Sequence, residues 1–150
     1  MKLSAFIEVH LEEILREWDS FARTLFPSSD RLSPLLLRDH ARAMLLELIQ
    51  DIQTAQSPQQ QVAKSKGASS PFHPDDSAAN IHGVTRHDDG FSVSQVAAEF
   101  RALRATVLRL WLPKVSAMNG DVVDDIVRFN EAIDEALADS IVTYREVQVR

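Results

Sequence analysis

The stretch that decides the fold is "GFSVSQVAAEFRALRATVLRLW", Gly90 to Trp111. Ser92 and Gln95 stand three apart, as a capping box requires, and Phe91 and Val96 are spaced to staple the chain onto the first turn of a helix. Val93, Val96, Ala97, Phe100, Leu103, Val107, Leu110 and Trp111 then recur at intervals of three and four, and Pro113 stops the pattern. The spacing predicts one amphipathic helix from Ser92 to Trp111. Two residues disturb it: Arg104 falls within the apolar stripe and Glu99 lies at its edge.

Period 3.6 continues on both sides of this stretch and period 2 is absent, so the chain reads as all-α. The expected architecture is a bundle of four long or medium helices plus one or two short ones, with a globin-like arrangement as one possibility. A first helix is expected over Ser4–Leu25, with Ile7, Leu11, Ile14, Leu15, Trp18, Phe21, Ala22 and Leu25 facing inward and Pro27 ending it. A second opens at Ser33 with Pro34 in its first turn and buries Leu37, Ala41, Met44, Leu45, Leu48 and Ile52.

Apolar density then collapses in "QSPQQQVAKSKGASSPFHP", which predicts a loop or lid over residues 56–74, with at most a short helix from Pro58 to about Ser65. A short helix should begin at Asp76 or Ser77 and run through "AANIHGVTRHDD", with Gly90 ending it in the left-handed conformation. After the "MNGD" turn, Val122, Ile126, Phe129, Ile133, Ala136 or Leu137, Ser140, Tyr144 and Val147 approach a heptad seam on a last helix. That pattern meets no stop signal before Arg150, so the helix is expected to continue into a C-terminal output domain. The 150 residues themselves read as one domain.

With a net charge of −6, the summed field repels phosphate backbones, which argues against nucleic acid as a partner. There is no cysteine, so disulfides and thiolate metal sites are excluded. No apolar run reaches membrane-spanning length. "MKLSAFIEVHLEEILREW" turns acidic where a signal peptide needs an apolar core, so a cytoplasmic location is expected.

The sequence holds no P-loop, dinucleotide-binding glycines, nucleophile elbow or "HExxH", and it gives no ground for an enzyme. His10, His40, His73, His82 and His87 show no helical metal-ligand spacing, so no metal or cofactor is expected; packing or surface positions explain them better than haem ligation. The carboxylates of "HLEEILREWD" and "DVVDDIVRF" read as solvated helix faces. Phe6, Trp18, Phe21, Phe100, Trp111 and Phe129 read as core. The polar residues on apolar stripes remain. Asn130 and Asp134 on the last helix, Arg104 on the quoted helix and His82 with Arg86 on the short one could complement one another, because a charge withheld from water needs a partner. For Arg104 an internal network is preferred to snorkelling. For Arg101 and Arg109 snorkelling or solvent is preferred.

"SAANIHGVTRHDDGFSVSQVAAEFRALRATVLRLW" and "DIVRFNEAIDEALADSIVTY", with "LRDHARAMLLELIQDI" and "AKSKG", resemble the N-terminal sensor domain of stressosome co-antagonist proteins, the RsbRD type, which also precedes many bacterial sensor histidine kinases. The resemblance carries over to His40 and Asp51, His82 and Arg86, Glu99, Arg101, Arg104 and Trp111, and Arg128, Asn130, Glu131 and Asp134. Phe100 departs from it, since the family often has tyrosine there. The resemblance implies a non-catalytic, cytoplasmic, usually dimeric α-helical input module that modulates a C-terminal kinase or stressosome output, with an unidentified small-molecule ligand as one possible stimulus. A polar cluster of His82, Arg86, Glu99, Arg104, Asn130 and Asp134 is its candidate signalling site. The alternatives are a globin-like haem or small-molecule binder and a pure dimerisation or docking module. The seam on the last helix predicts a parallel homodimer.

Overall fold

The computed structural model describes residues 2–25, 34–53, 78–88 and 90–149, with side chains placed at 2–21, 41–53, 80–88 and 90–149. Among these residues every regular element is helical, so the protein is all-α. The helices are α1 (Leu3–Val9), α2 (Leu11–Leu25), α3 (Pro34–Gln53), α4 (Ala78–Asp88), α5 (Val93–Trp111) and α6 (Gly120–Gln148), with a 3-10 turn at Leu112–Lys114. The loop expected over residues 56–74, the short helix within it, the Ser33 cap and the side chains of Leu37 and His40 lie outside the described residues.

The single first helix expected over Ser4–Leu25 is in fact two. His10 leaves helical geometry at φ −107° and ψ 22°, and its ring stacks on Phe6 with centroids 4.4 Å apart. The hydrogen bonds from His10 N to Phe6 O and from Ile14 N to His10 O persist, so the chain bends there without separating the helices. The bend lets α1 reach α6, where the Asp125 carboxylate accepts the Leu3 N–H at 3.0 Å, while α2 packs on α3 and α5. That carboxylate supplies a cap that the N-cap residue, Lys2, does not provide. Further along α2, Phe21 departs from the expected stripe and is 41% exposed.

The start of α5 is as its sequence dictates. Ser92 Oγ accepts the Gln95 N–H, Gln95 Oε1 accepts the Ser92 N–H, and both staple residues, Phe91 and Val96, are buried. The stop of α4 also follows local chemistry. Gly90 has φ +82°, its N–H reaches His87 O, and the Phe91 N–H reaches Arg86 O, which together form a Schellman turn. For α6, Asn119 Oδ1 accepts the Val122 N–H, placing the first turn at Gly120, two residues before the expected start.

The core is one cluster in which Leu3, Phe6, Ile7, Ile14, Leu15 and Trp18 meet Ala41, Met44, Leu45 and Leu48, and then Phe100, Leu103, Val107, Trp111, Phe129 and Ile133. The α6 stripe that suggested a dimer seam is spent here. Phe129, Ile133, Ala136, Ser140 and Tyr144 are buried within their own chain, against elements that include α3, α4 and α5. A second copy could use that stripe only by displacing this core. No helix among the described residues is long and apolar enough to cross a membrane.

Candidate functional site

The α4 helix breaks the usual inside-outside rule. Among its described residues the buried side chains are His82 and Arg86, with Gly83 between them, while Ile81 is 51% exposed. His82 and Arg86 are four apart and so project from one face of the helix. Both meet Glu99 of α5. Arg86 Nε donates to Glu99 Oε1 at 2.7 Å, and His82 Nε2 is in hydrogen-bond contact with Glu99 Oε2. An ionised carboxylate only accepts, so Nε2 carries a proton and donates it to Glu99. All three residues are at most 1% exposed.

Glu99 stays in its charged form despite its position. Burial, the largest influence, pushes its pKa upward; the attraction and hydrogen bond of His82, followed by those of Arg86, outweigh burial and hold the carboxyl below its ordinary range. Neighbouring groups fix the site from other directions. The Trp18 indole of α2 donates to the Glu99 backbone carbonyl at 3.2 Å, and the Phe100 ring meets His82 edge-on at 5.5 Å. The Arg86 guanidinium also lies over the Phe91 ring, 5.1 Å from its centroid.

The other face of α4 lies against α6 at backbone range. A Cβ placed on Gly83 would stand 2.2 Å from the Ser140 carbonyl oxygen, so only glycine permits this approach. Asn80 accepts a hydrogen bond from Thr143 Oγ1 at 2.8 Å, and the Tyr144 ring meets His87 edge-on at 5.0 Å. The Tyr144 hydroxyl donates to the Phe91 carbonyl in the turn between α4 and α5.

Of the six residues expected to form one cluster, the structure brings three together. Arg104 is 33% exposed and pairs with Asp134, itself 66% exposed, at the rim between α5 and α6. Arg104 therefore meets Asp134, one of its expected partners, but does not serve Glu99, and a pair at the exposed rim replaces the internal network preferred at that position. The reason lies in the arc that α5 buries. Because the helix packs on both α2 and α6, that arc includes Glu99, Ala102 and Thr106 as well as the apolar stripe, which leaves Arg104 at the margin. Asn130 is half-buried, and its Oδ1 has no hydrogen-bond partner among the described residues.

Arg101 is exposed, as is Arg109, which pairs with Glu17 at 2.9 Å; Trp111 is in the core. Arg128 reaches Asp51 through that residue's backbone carbonyl at 2.8 Å, and Glu131 is half-buried. Sequence reasoning missed Gly83 and Tyr144. A glycine inside a helix with no cap to serve was the available signal for the first; for the second it was the only tyrosine in the chain, placed on the buried stripe of α6.

Among the described residues, no group of three or more histidine, aspartate or glutamate side chains is arranged to hold a metal ion. No family model, curated protein or solved structure matches this chain.

Proposed function

We propose that this chain is a regulatory input module without catalytic activity, of the kind its sequence resembles. In this reading α2, α3, α5 and α6 form a bundle and α4 is its switch element. The observation that carries the proposal is the inverted face of α4, which buries an arginine and a histidine on one glutamate and leaves an isoleucine in solvent. Buried ion pairs roughly break even against well-packed apolar residues, because desolvation offsets their attraction. A helix docked in this way is held in a specific register at little net gain in stability, which is the energetic condition for a two-state element. A ligand or partner that favours one packing of α4 shifts the population, and α6 carries the change to a kinase or stressosome-type output. Violations of local design rules concentrate at functional sites, which supports assigning the role to α4.

A homodimer belongs to this proposal. With the inner stripe of α6 occupied, the outward residues Val123, Val127 and Val142 are left for contact with a second copy. The haem alternative gains no support from His82, whose Nε2 is engaged by Glu99. The test is the kinase or stressosome output of the natural polypeptide carrying Glu99→Gln, compared with the exposed control Arg101→Met. Output altered by the first and unchanged by the second is expected. A natural polypeptide with neither an output domain nor a stressosome partner would end the reading.

A further inference from the structure

The Glu99 centre is fastened to α6 through one residue of the α4–α5 turn. Phe91 is 1% exposed and is held at three points. Its N–H donates to the Arg86 carbonyl at 2.9 Å, its ring lies beneath the Arg86 guanidinium, and its carbonyl accepts the Tyr144 hydroxyl. Tyr144 also touches α4 directly through the edge of the His87 ring. Arg86 is thus bound to Glu99 by its side chain and to Phe91 by both its carbonyl and its guanidinium, so moving α4 off Glu99 must move Phe91 as well. Phe91 in turn cannot move without breaking or dragging the bond from Tyr144, which lies in the last two turns of α6.

We infer that Tyr144 is the positioning residue that couples the packing of α4 on Glu99 to the C-terminal turns of α6. The bond between its hydroxyl and the Phe91 carbonyl is made in one packing and broken or re-formed in the other. This inference rests on the reading of α4 as the moving element. Coupling between two sites is reciprocal, so a change imposed at Tyr144 must also be felt at the Glu99 centre. A tyrosine that only completes the core would show no such reciprocity.

The chain carries its own probes at both ends of this route. Tyr144 is the only tyrosine, so 3-fluorotyrosine gives one fluorine resonance; the two tryptophans are Trp18, bonded to the Glu99 carbonyl, and Trp111. In the 150-residue chain, Glu99→Gln is expected to shift or split the Tyr144 resonance, whereas Arg101→Met leaves it unchanged. Reciprocally, Tyr144→Phe in the 5-fluorotryptophan protein is expected to shift the Trp18 resonance and leave that of Trp111 in place. If Glu99→Gln moves Trp18 but not Tyr144, the coupling is refuted while α4 remains a switch element. If it moves neither, both the coupling and the switch fall. Should Glu99→Gln unfold the chain, His82→Gln retains a donor toward Glu99 Oε2 and supplies a milder perturbation, read in the same two resonances.

Discussion

Replacing Gly83 with alanine should loosen α4 more than any apolar truncation of that helix. In an ordinary helix interior the exchange stabilises by about 1 kcal/mol, because glycine gives up more backbone entropy on folding. Here the new methyl group would lie 2.2 Å from the Ser140 carbonyl oxygen and 3.0 Å from its carbon. Both atoms belong to the α6 backbone and cannot swing aside. Restoring ordinary contact near 3.5 Å requires the helices to part by about 1 Å. Overpacking of this kind costs about 1–3 kcal/mol. The same displacement stretches the 2.7 Å bond between Arg86 and Glu99, and a weakened charge-assisted hydrogen bond adds about 1–2 kcal/mol. Net of the propensity gain, Gly83→Ala should destabilise by about 1–4 kcal/mol, a fall in Tm of roughly 5–10 °C at the middle of that range for a chain of this length. Gly120→Ala is the control, since nothing lies within 4 Å of its added methyl group, and it should be neutral or slightly stabilising. Thermal unfolding followed by far-UV circular dichroism compares the two directly. Equal, small or favourable effects at both positions would refute the close approach of α4 and α6.

The two arginines differ in their pairing and should differ in what they contribute. Arg86→Met leaves Glu99 buried without its guanidinium and should cost about 3–5 kcal/mol, whereas Arg104→Met removes a half-exposed pair and should cost under about 1 kcal/mol; denaturant midpoints measure both. Because the Glu99 pKa is depressed on folding, its stabilising contribution is complete above the unfolded-state value and is lost as pH falls through the folded-state value. Stability of the native chain should therefore fall more steeply in acid than that of Glu99→Gln, as Tm measured against pH would record. Ser92→Ala removes one half of the α5 capping box and should cost about 1 kcal/mol, measured by chemical denaturation.

Local chemistry explains which features could be read from sequence. The Ser92–Gln95 box and the Gly90 stop depend on residues within a few positions of one another, and each was legible. His82, Arg86 and Glu99 were recognised as candidates because polar groups on packed helices need partners. Arg104, Asn130 and Asp134 were grouped with them because the spacing of apolar residues gives the centre of a stripe and not the width of the buried arc. That width depends on how many helices pack around α5. The close approach at Gly83 could not be foreseen, since it depends on where Ser140 comes to lie. The bend at His10 is likewise tertiary in origin, with Asp125 of α6 holding the start of α1. On α6 the members of the heptad-like seam from Phe129 to Tyr144 are largely buried, but periodicity alone does not say whether a stripe faces its own chain or a second copy.

The central claim, that α4 is a separately movable element docked by Glu99, is tested most directly by native-state amide hydrogen exchange. The amides of Gly83 and Arg86 on α4 should exchange through a local opening that requires less free energy than global unfolding, while those of Leu103 and Val107 on α5 exchange only globally. Relative to global unfolding, Glu99→Gln should make the α4 opening easier still. If α4 and α5 amides share one exchange free energy, and Glu99→Gln lowers both equally, α4 opens only with the whole fold and the account is wrong.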